Sequence, residues 1–224
     1  MLRRMKNGAG ALILEPWTLI KRKPPAAVEE SWSPFEGARN VNRGPFTRWT
    51  VAAMRRRNKS LNREALNTLA IVPKDHVLEI GYGSGDALLQ AAKMARSGFA
   101  AGLDRSLDML AFGYKRTRKS RNKNLSVLRG DVSWLPWSEG AFDKVFCVDG
   151  ITEWPCTRSG LEEAHRVLRP GGVLVLGERI SDKFTKSKAL ALAHLLTVVG
   201  FQELEVRLEP DHGSELLLLR AVRN

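Results

Sequence analysis

The stretch VLEIGYGSGD, residues 77–86, constrains the fold more than any other. An apolar run carries an acid, Glu79, one residue before its end, and Gly81, Gly83 and Gly85 follow at alternate positions. Glycine adopts positive φ readily and lets a ligand approach the main chain. A short strand that stops in such a turn, with a helix-like segment from Ser84 to Met94 after it, reads as the opening unit of a doubly wound α/β sheet. Ligands of such sheets lie beyond the carboxyl ends of the strands, where the strand order reverses. The helix beyond the turn also presents free N–H groups. A dinucleotide turn, G-x-G-x-x-G, would need glycine at position 86. Asp86 stands there instead, and at a helix start it would oppose a pyrophosphate.

The alternation continues along the chain. FAAGLD (residues 99–104), LSVLRGD (125–131), DKVFCVD (143–149) and GVLVLGERI (172–180) read as strands. Segments Ser106 to Lys119, Ser159 to Leu168 and Asp182 to Val199 read as helices, the second stopped by Pro170-Gly171-Gly172 and the third by Gly200. The near-continuous apolar runs VFCV and VLVLG fit strands buried on both faces of a parallel sheet. FQELEVRL and SELLLLRAV are joined by only a short turn, Glu209 to Gly213, so they run antiparallel. The expected fold is α/β and Rossmann-like: a seven-stranded mixed sheet, helices on both faces, and an antiparallel C-terminal hairpin strand. Residues 45–72 read as a helical cap in two pieces, broken near Asn58 to Asn62 and ended by Pro73, with residues 73–224 as the ligand-binding domain. Residues 1–44, with Pro24-Pro25, Pro34 and few periodic apolar positions, read as an irregular or partly disordered arm.

With Glu79 in front, the run E-x-G-x-G-x-G resembles the first motif of class I S-adenosylmethionine-dependent methyltransferases. That ligand is a nucleoside with an amino-acid tail and has no phosphate for Asp86 to repel. The lead-in MRRRNKSLNREAL, residues 54–66, resembles the small ubiquinone-biosynthesis-like, type 11 group. The resemblance covers roughly residues 45–222 and implies S-adenosylmethionine as cofactor. By it, Glu79, Gly81, Tyr82, Gly83 and Gly85 form the cofactor turn. Asp104 in GLDRS, with Arg105 beside it, takes the place of the acid that binds both ribose hydroxyls, a task suited to a carboxylate because it accepts two hydrogen bonds at once. Asp131 in RGDVSWLPW takes that of the acid facing the adenine amino group, with the Val132 backbone beside the ring. Asp149 closes the fourth strand and faces the reactive methyl, orienting the cofactor. The segment EAHRVLRPGGVLVLGE matches the family's approach to its fifth strand.

Methyl transfer is an in-line displacement, so alignment and exclusion of water can carry much of it without a catalytic dyad. Where the acceptor must lose a proton, Asp149 and Glu153 are the candidate bases. His165 reads as structural, and His194 and His212 as surface residues. The resemblance also narrows the acceptor. Exocyclic-nitrogen methylation of bases uses an Asn/Asp/Ser-Pro-Pro-aromatic run after strand four, where this chain has Asp149-Gly150-Ile151-Thr152. Cytosine carbon-5 methylation uses a Pro-Cys nucleophile; Pro155-Cys156 lacks the surrounding motif. Trp49, Met54, Asn58 and Asn62 of the cap either line the acceptor pocket or, for Trp49 and Met54, serve as core. Trp134, Trp137 and Trp154 either line that pocket or anchor rim loops.

Two cysteines form no disulfide framework and suit a reducing compartment, which fits the cytoplasm; the basic start leaves organellar import as an alternative. Cysteines and histidines lack metal-ligand spacing, and no run of apolar residues is long enough for a transmembrane helix. The net charge of +12 is concentrated: residues 1–63 contribute +10, and Lys115 to Lys123 form a second basic cluster. Either surface could meet nucleic acid or another anionic surface, or simply be solvated. The expected function is methyl transfer to a small-molecule acceptor. The alternatives are an RNA- or protein-directed methyltransferase using the basic arm, and a catalytically silent cofactor-binding partner. A nicotinamide dehydrogenase is disfavoured by Asp86 and by Gly130-Asp131. The oligomeric state is left open.

Overall fold

The computed structural model describes residues 45–120 and 122–224. The expected arm, residues 1–44, lies outside the described residues. Two helices open the described chain, α1 (Pro45–Arg57) and α2 (Lys59–Leu69). They are followed by β1 (His76–Ile80), α3 (Asp86–Met94), β2 (Phe99–Asp104), α4 (Leu107–Lys119), β3 (Leu125–Arg129) and β4 (Phe142–Val148). A 3₁₀ turn (Ile151–Glu153), α5 (Thr157–Val167), β5 (Leu168–Arg179), α6 (Lys186–Val199), β6 (Phe201–Asp211) and β7 (Ser214–Arg223) complete it.

The strands form one seven-stranded sheet in the order β3-β2-β1-β4-β5-β7-β6. β1 to β5 are parallel, and β7 lies antiparallel between β5 and β6. The mixed α/β fold is therefore the expected one. The strand order reverses between β1 and β4, which places the ligand crevice over their carboxyl ends. α5 and α6 cover one face, where Leu161, Ala164, Leu192 and Leu196 meet Leu174, Leu176, Leu217 and Leu219. α2 and α3 cover the other, where Leu61, Ala65 and Ala91 meet Val77, Phe146, Val175 and Leu218. α2 is thus a layer of the core, and α1 buries Val51.

Several element boundaries differ from the sequence reading, among them α5, which begins at Thr157, and β6, which runs on to Asp211 and shortens the hairpin turn. α3 starts at Asp86 because Gly85 takes left-handed backbone as its N-cap. α6 starts at Lys186, four residues after Asp182, because Thr185 provides the cap by accepting the Lys188 N–H. Pro170-Gly171-Gly172 does not stand between helix and strand: β5 begins at Leu168 and carries the three residues as an exposed irregularity, with Leu168 opposite Phe142 and Val173 opposite Lys144.

Tyr82 is the side chain that fixes the first turn to the sheet. It is 2% exposed, and its ring fills the space over Gly102 of β2 and Gly113 of α4. A Cβ at Gly113 would come within 2.7 Å of that ring, so both glycines make room for the aromatic body. The phenolic oxygen is buried without a hydrogen-bond partner. An unsatisfied buried hydroxyl is destabilising. Tyr82→Phe should therefore stabilise the protein by about 1 kcal/mol in urea unfolding, whereas Tyr82→Ala should cost about 3 kcal/mol or more. A loss of stability in the Phe variant would show that the hydroxyl has a partner.

Candidate functional site

All three glycines of the turn have positive φ: 73° at Gly81, 46° at Gly83 and 71° at Gly85. The turn is pinned by backbone donors. Gly81 donates to the Leu103 carbonyl at 2.7 Å, Gly83 to Asp104 Oδ2 at 2.8 Å, and Gly85 to the Tyr82 carbonyl at 2.6 Å. A Cβ at Gly81 or Gly85 would meet no atom within 4 Å. Packing therefore does not explain these two glycines; backbone conformation and the open space above the turn do. A Cβ at Gly83 would instead lie 3.2 Å from Met54 Sδ, so α1 reaches over the turn.

Carboxylates gather around this turn. Asp104 is 8% exposed, and its two oxygens accept the N–H groups of Gly83 and Ser106. Burial raises its carboxyl above the usual range, against the pull of those two donors. Glu79 is 3% exposed and its Oε2 has no partner at all. Burial, then the charges of Asp104 and Asp86, push its carboxyl well up, while the Leu88 N–H pulls the other way. An orphaned, buried acceptor beside an open glycine turn suits a ligand that brings hydrogen-bond donors and positive charge. S-adenosylmethionine, with an ammonium, a sulfonium and ribose hydroxyls, fits that description; a pyrophosphate does not.

Asp86 is taken up by protein. It pairs with Arg116 of α4 and Arg55 of α1, both at 2.7 Å, and accepts from Ser84 Oγ at 2.8 Å. Burial alone would raise its carboxyl, but the bonds from Arg116, Arg55 and Ser84 hold it below the ordinary range. Asp86 is thus the fastener of the turn to α1 and α4 rather than a ligand group.

The other expected residues divide. Asp131 closes an Asx turn onto the Ser133 N–H at 2.8 Å just past β3, and Val132 is buried. Asp149 ends β4 in left-handed backbone, φ 50°, with Arg57 Nη2 at 3.3 Å. Arg105 is exposed, and its guanidinium reaches across to the Glu153 carbonyl at 3.4 Å. The carboxyl-end rim thus carries Glu79 and Asp104 on β1 and β2, and Asp131 and Asp149 just past β3 and β4. Tyr82 belongs to the turn by its backbone only, its side chain being the wedge already described.

Of the expected acceptor-pocket residues, Met54 lies over Gly83, and Asn58, half-buried between α1 and α2, has a buried, unpartnered Oδ1. Asn62 is buried one turn on. Trp49 is 79% exposed, so it is not core. Trp134 and Trp137 are buried, Trp137 edge-on to Phe142 at 5.2 Å, so both anchor the loop after β3. Trp154 packs against Gly160 of α5, where a Cβ would come within 2.5 Å of its ring. His165 packs edge-on against Phe201 at the far end of the sheet.

Two residues of the site escape sequence reasoning. Glu178 ends β5 and accepts the N–H groups of Gly150 and Ile151 at 2.9 and 2.7 Å. Its signal was present, an acid directly after the apolar run VLVLG. Arg179 donates to the Arg57 carbonyl at 3.0 Å and pairs with Asp211 at 2.7 Å, holding the end of α1. Nothing local in the sequence marks that contact.

Residues 77–172 match the model of a methyltransferase domain family. A protein of Bacillus subtilis described as an uncharacterized methyltransferase, YdaC, is 27% identical over 155 residues, 67% of this chain and 84% of that one. A demethylmenaquinone methyltransferase of Symbiobacterium thermophilum is 36% identical over 116 residues, 50% of this chain and 45% of that one. The chain thus spans about half the length of the demethylmenaquinone methyltransferases it matches. Among solved structures, an S-adenosylmethionine-dependent methyltransferase from Aquifex aeolicus superposes with a TM-score of 0.67 at 18% identity, over 78% of this chain and 97% of that one.

Gly81→Ala and Gly85→Ala should fold, because the added methyl meets nothing, at a cost of about 1–2 kcal/mol from left-handed backbone. Their affinity for S-adenosylhomocysteine should fall at least tenfold, read by calorimetry. Wild-type affinity in both variants would remove the ligand from this turn.

Proposed function

We propose that the chain is a class I S-adenosylmethionine-dependent methyltransferase with S-adenosylmethionine as its cofactor, and that its acceptor is a small molecule. The observation that carries the acceptor class is the placement of α1. Met54 lies over Gly83, Arg55 is paired with Asp86 and Arg57 with Asp149, so one helix covers the glycine turn and the end of β4. A covered site suits an acceptor that fits beneath a helix better than a folded polymer. The demethylmenaquinone methyltransferases among the relatives have a small molecule in their name, which supports the same reading.

Bound S-adenosylmethionine supplies a methyl group activated by a sulfonium. In this reading Asp104 holds the ribose, Asp131 the adenine edge, and Glu79 the cationic tail side of the turn. Asp149 orients the methyl end. The four carboxylates favour a cation over a neutral product, which supports release after transfer. α1 excludes water, and alignment provides the acceleration. Asp149 or Glu153 would serve as base only for an acceptor that must lose a proton.

The polymer-directed alternative gains little from the described surface. Lys93, Lys119 and Lys123 are exposed at or just beyond the last turns of α3 and α4, while Arg116 of the same basic cluster is already paired with Asp86. Basic residues at helix C-termini complement the helix dipole without any partner. Among the described residues no helix is long and apolar enough to cross a membrane. Cys147 and Cys156 are free thiols, which supports the cytoplasm as the proposed compartment.

Calorimetric titration with S-adenosylmethionine, S-adenosylhomocysteine and NADH tests the cofactor half. Micromolar binding of both sulfur ligands, at least a hundredfold weaker in Asp104→Ala, and no binding of NADH are expected. Transfer of labelled methyl to a short-chain demethylated quinol, compared with bulk RNA, tests the acceptor half. Label in RNA alone would overturn the small-molecule reading.

A further inference from the structure

β5 ends unlike the run that precedes it. Val173 to Leu176 are all buried and apolar, and Glu178 follows, also buried at 3% exposure. An isolated buried carboxylate is costly, so its partners matter. Oε1 accepts two N–H groups, from Gly150 at 2.9 Å and Ile151 at 2.7 Å. These are among the first donors of the 3₁₀ turn Ile151–Glu153, which have no intrahelical acceptor of their own. The N–H of Asp149 donates to the carbonyl of Gly177 at 2.8 Å. Two adjacent residues of β5 therefore take three successive backbone donors, those of residues 149 to 151. Between these bonds Asp149 is kept at φ 50°, a conformation non-glycine residues seldom adopt.

We propose that Glu178 is a positioning residue: its carboxylate holds the Asp149–Ile151 turn at the methyl end of the cofactor, and protonation of that carboxylate loosens the turn. The proposal rests on the reading that Asp149 faces the methyl. Neutralising the carboxyl converts two charge-assisted bonds into ordinary ones. The groups facing it are Asp149 and Cys147 at the end of β4 and Arg57 on α1; its neighbour on β7 is the apolar Leu217. Burial raises the Glu178 carboxyl to about 7, against the pull of the Ile151 and Gly150 donors, with the Asp149 charge adding to the rise and Arg57 opposing it. The turn therefore tightens as pH rises through neutrality. Stability moves the other way. The folded chain keeps a proton that the unfolded chain releases near 4.5, so the contribution of neutral Glu178 is full below that pH and lost as pH climbs through about 7.

The test is an amide titration of ¹⁵N-labelled protein between about pH 5.5 and 8.5, with and without S-adenosylhomocysteine, a window bracketing that ionisation. The Gly150 and Ile151 resonances should move together with one midpoint near 7. Glu178→Gln, which keeps shape and an acceptor, should abolish that titration and lose less thermal stability than wild type between pH 5 and 8. S-adenosylhomocysteine affinity should rise at least threefold across the window in wild type and stay flat in the variant. Still amides, or a titration that persists in Glu178→Gln, would overturn the proposal. The wild-type titration needs no variant to fold. It also needs no turnover: titrating amides in a protein that binds neither sulfur ligand would refute the methyltransferase reading while leaving Glu178 as the holder of the turn.

Discussion

The carboxylate of Asp104 is the tie on which the site depends. It belongs to the end of β2 but accepts the N–H of Gly83, in the turn after β1, and of Ser106, which opens α4. Three pieces of chain that could each move separately are thereby fixed to one buried side chain. The neighbouring bond from Gly81 to the Leu103 carbonyl doubles the link between β1 and β2. Tyr82 then locks the same turn from below by filling the space over Gly102 and Gly113. Positive-φ backbone is only useful to a ligand if it stays put, and here a hydrogen bond above and an aromatic wedge below keep it so.

The electrostatics of the site follow from that arrangement. Asp104, Glu79 and Glu178 are all buried and all have carboxyls raised by burial. Asp86, by contrast, is drawn down, because two arginines and a serine attend it. The contrast separates an acid paired with arginines from acids whose donors are backbone N–H groups. Exposed ion pairs are each worth about 0.5 kcal/mol. The Arg55–Asp86 and Arg57–Asp149 pairs, with about half of each arginine exposed, therefore hold α1 weakly.

The fold was legible because its signals are local and repeated. Alternating apolar strands and helices announce a parallel sheet, and a short turn between the last two strands forces their antiparallel pairing. The glycine turn, Asp104, Asp131 and Asp149 were legible because each occupies a strand end, a position that sequence order alone can give. What was not legible depends on contacts between distant residues. Tyr82 sits in the motif yet points away from it, which only the small residues at 102 and 113 explain. Trp134 and Trp137 read equally well as pocket or anchor, and burial decides for anchor. Trp49 gave no local sign of its exposure. Arg179 meets Arg57 across 122 positions of sequence, beyond the reach of any motif.

Gly177 and Glu178 show how the sheet itself builds the site. Successive residues of a strand face opposite sides. Gly177 faces α2, where a Cβ would lie 3.2 Å from Leu61, so the absence of a side chain there lets the helix sit close. Its neighbour necessarily faces the α5–α6 side, among the leucines of β5 and β7, where an apolar residue would pack well. A carboxylate there is a departure from what core packing asks. The departure becomes intelligible once the three N–H groups of residues 149 to 151 are counted, since a leucine would leave two of them unsatisfied beside the core. A one-residue slip of β5 would put the glutamate against Leu61 and a glycine under the turn, losing the packing and the site together. The pairing of β5 with β4 and β7 therefore fixes both the core and the turn that follows β4.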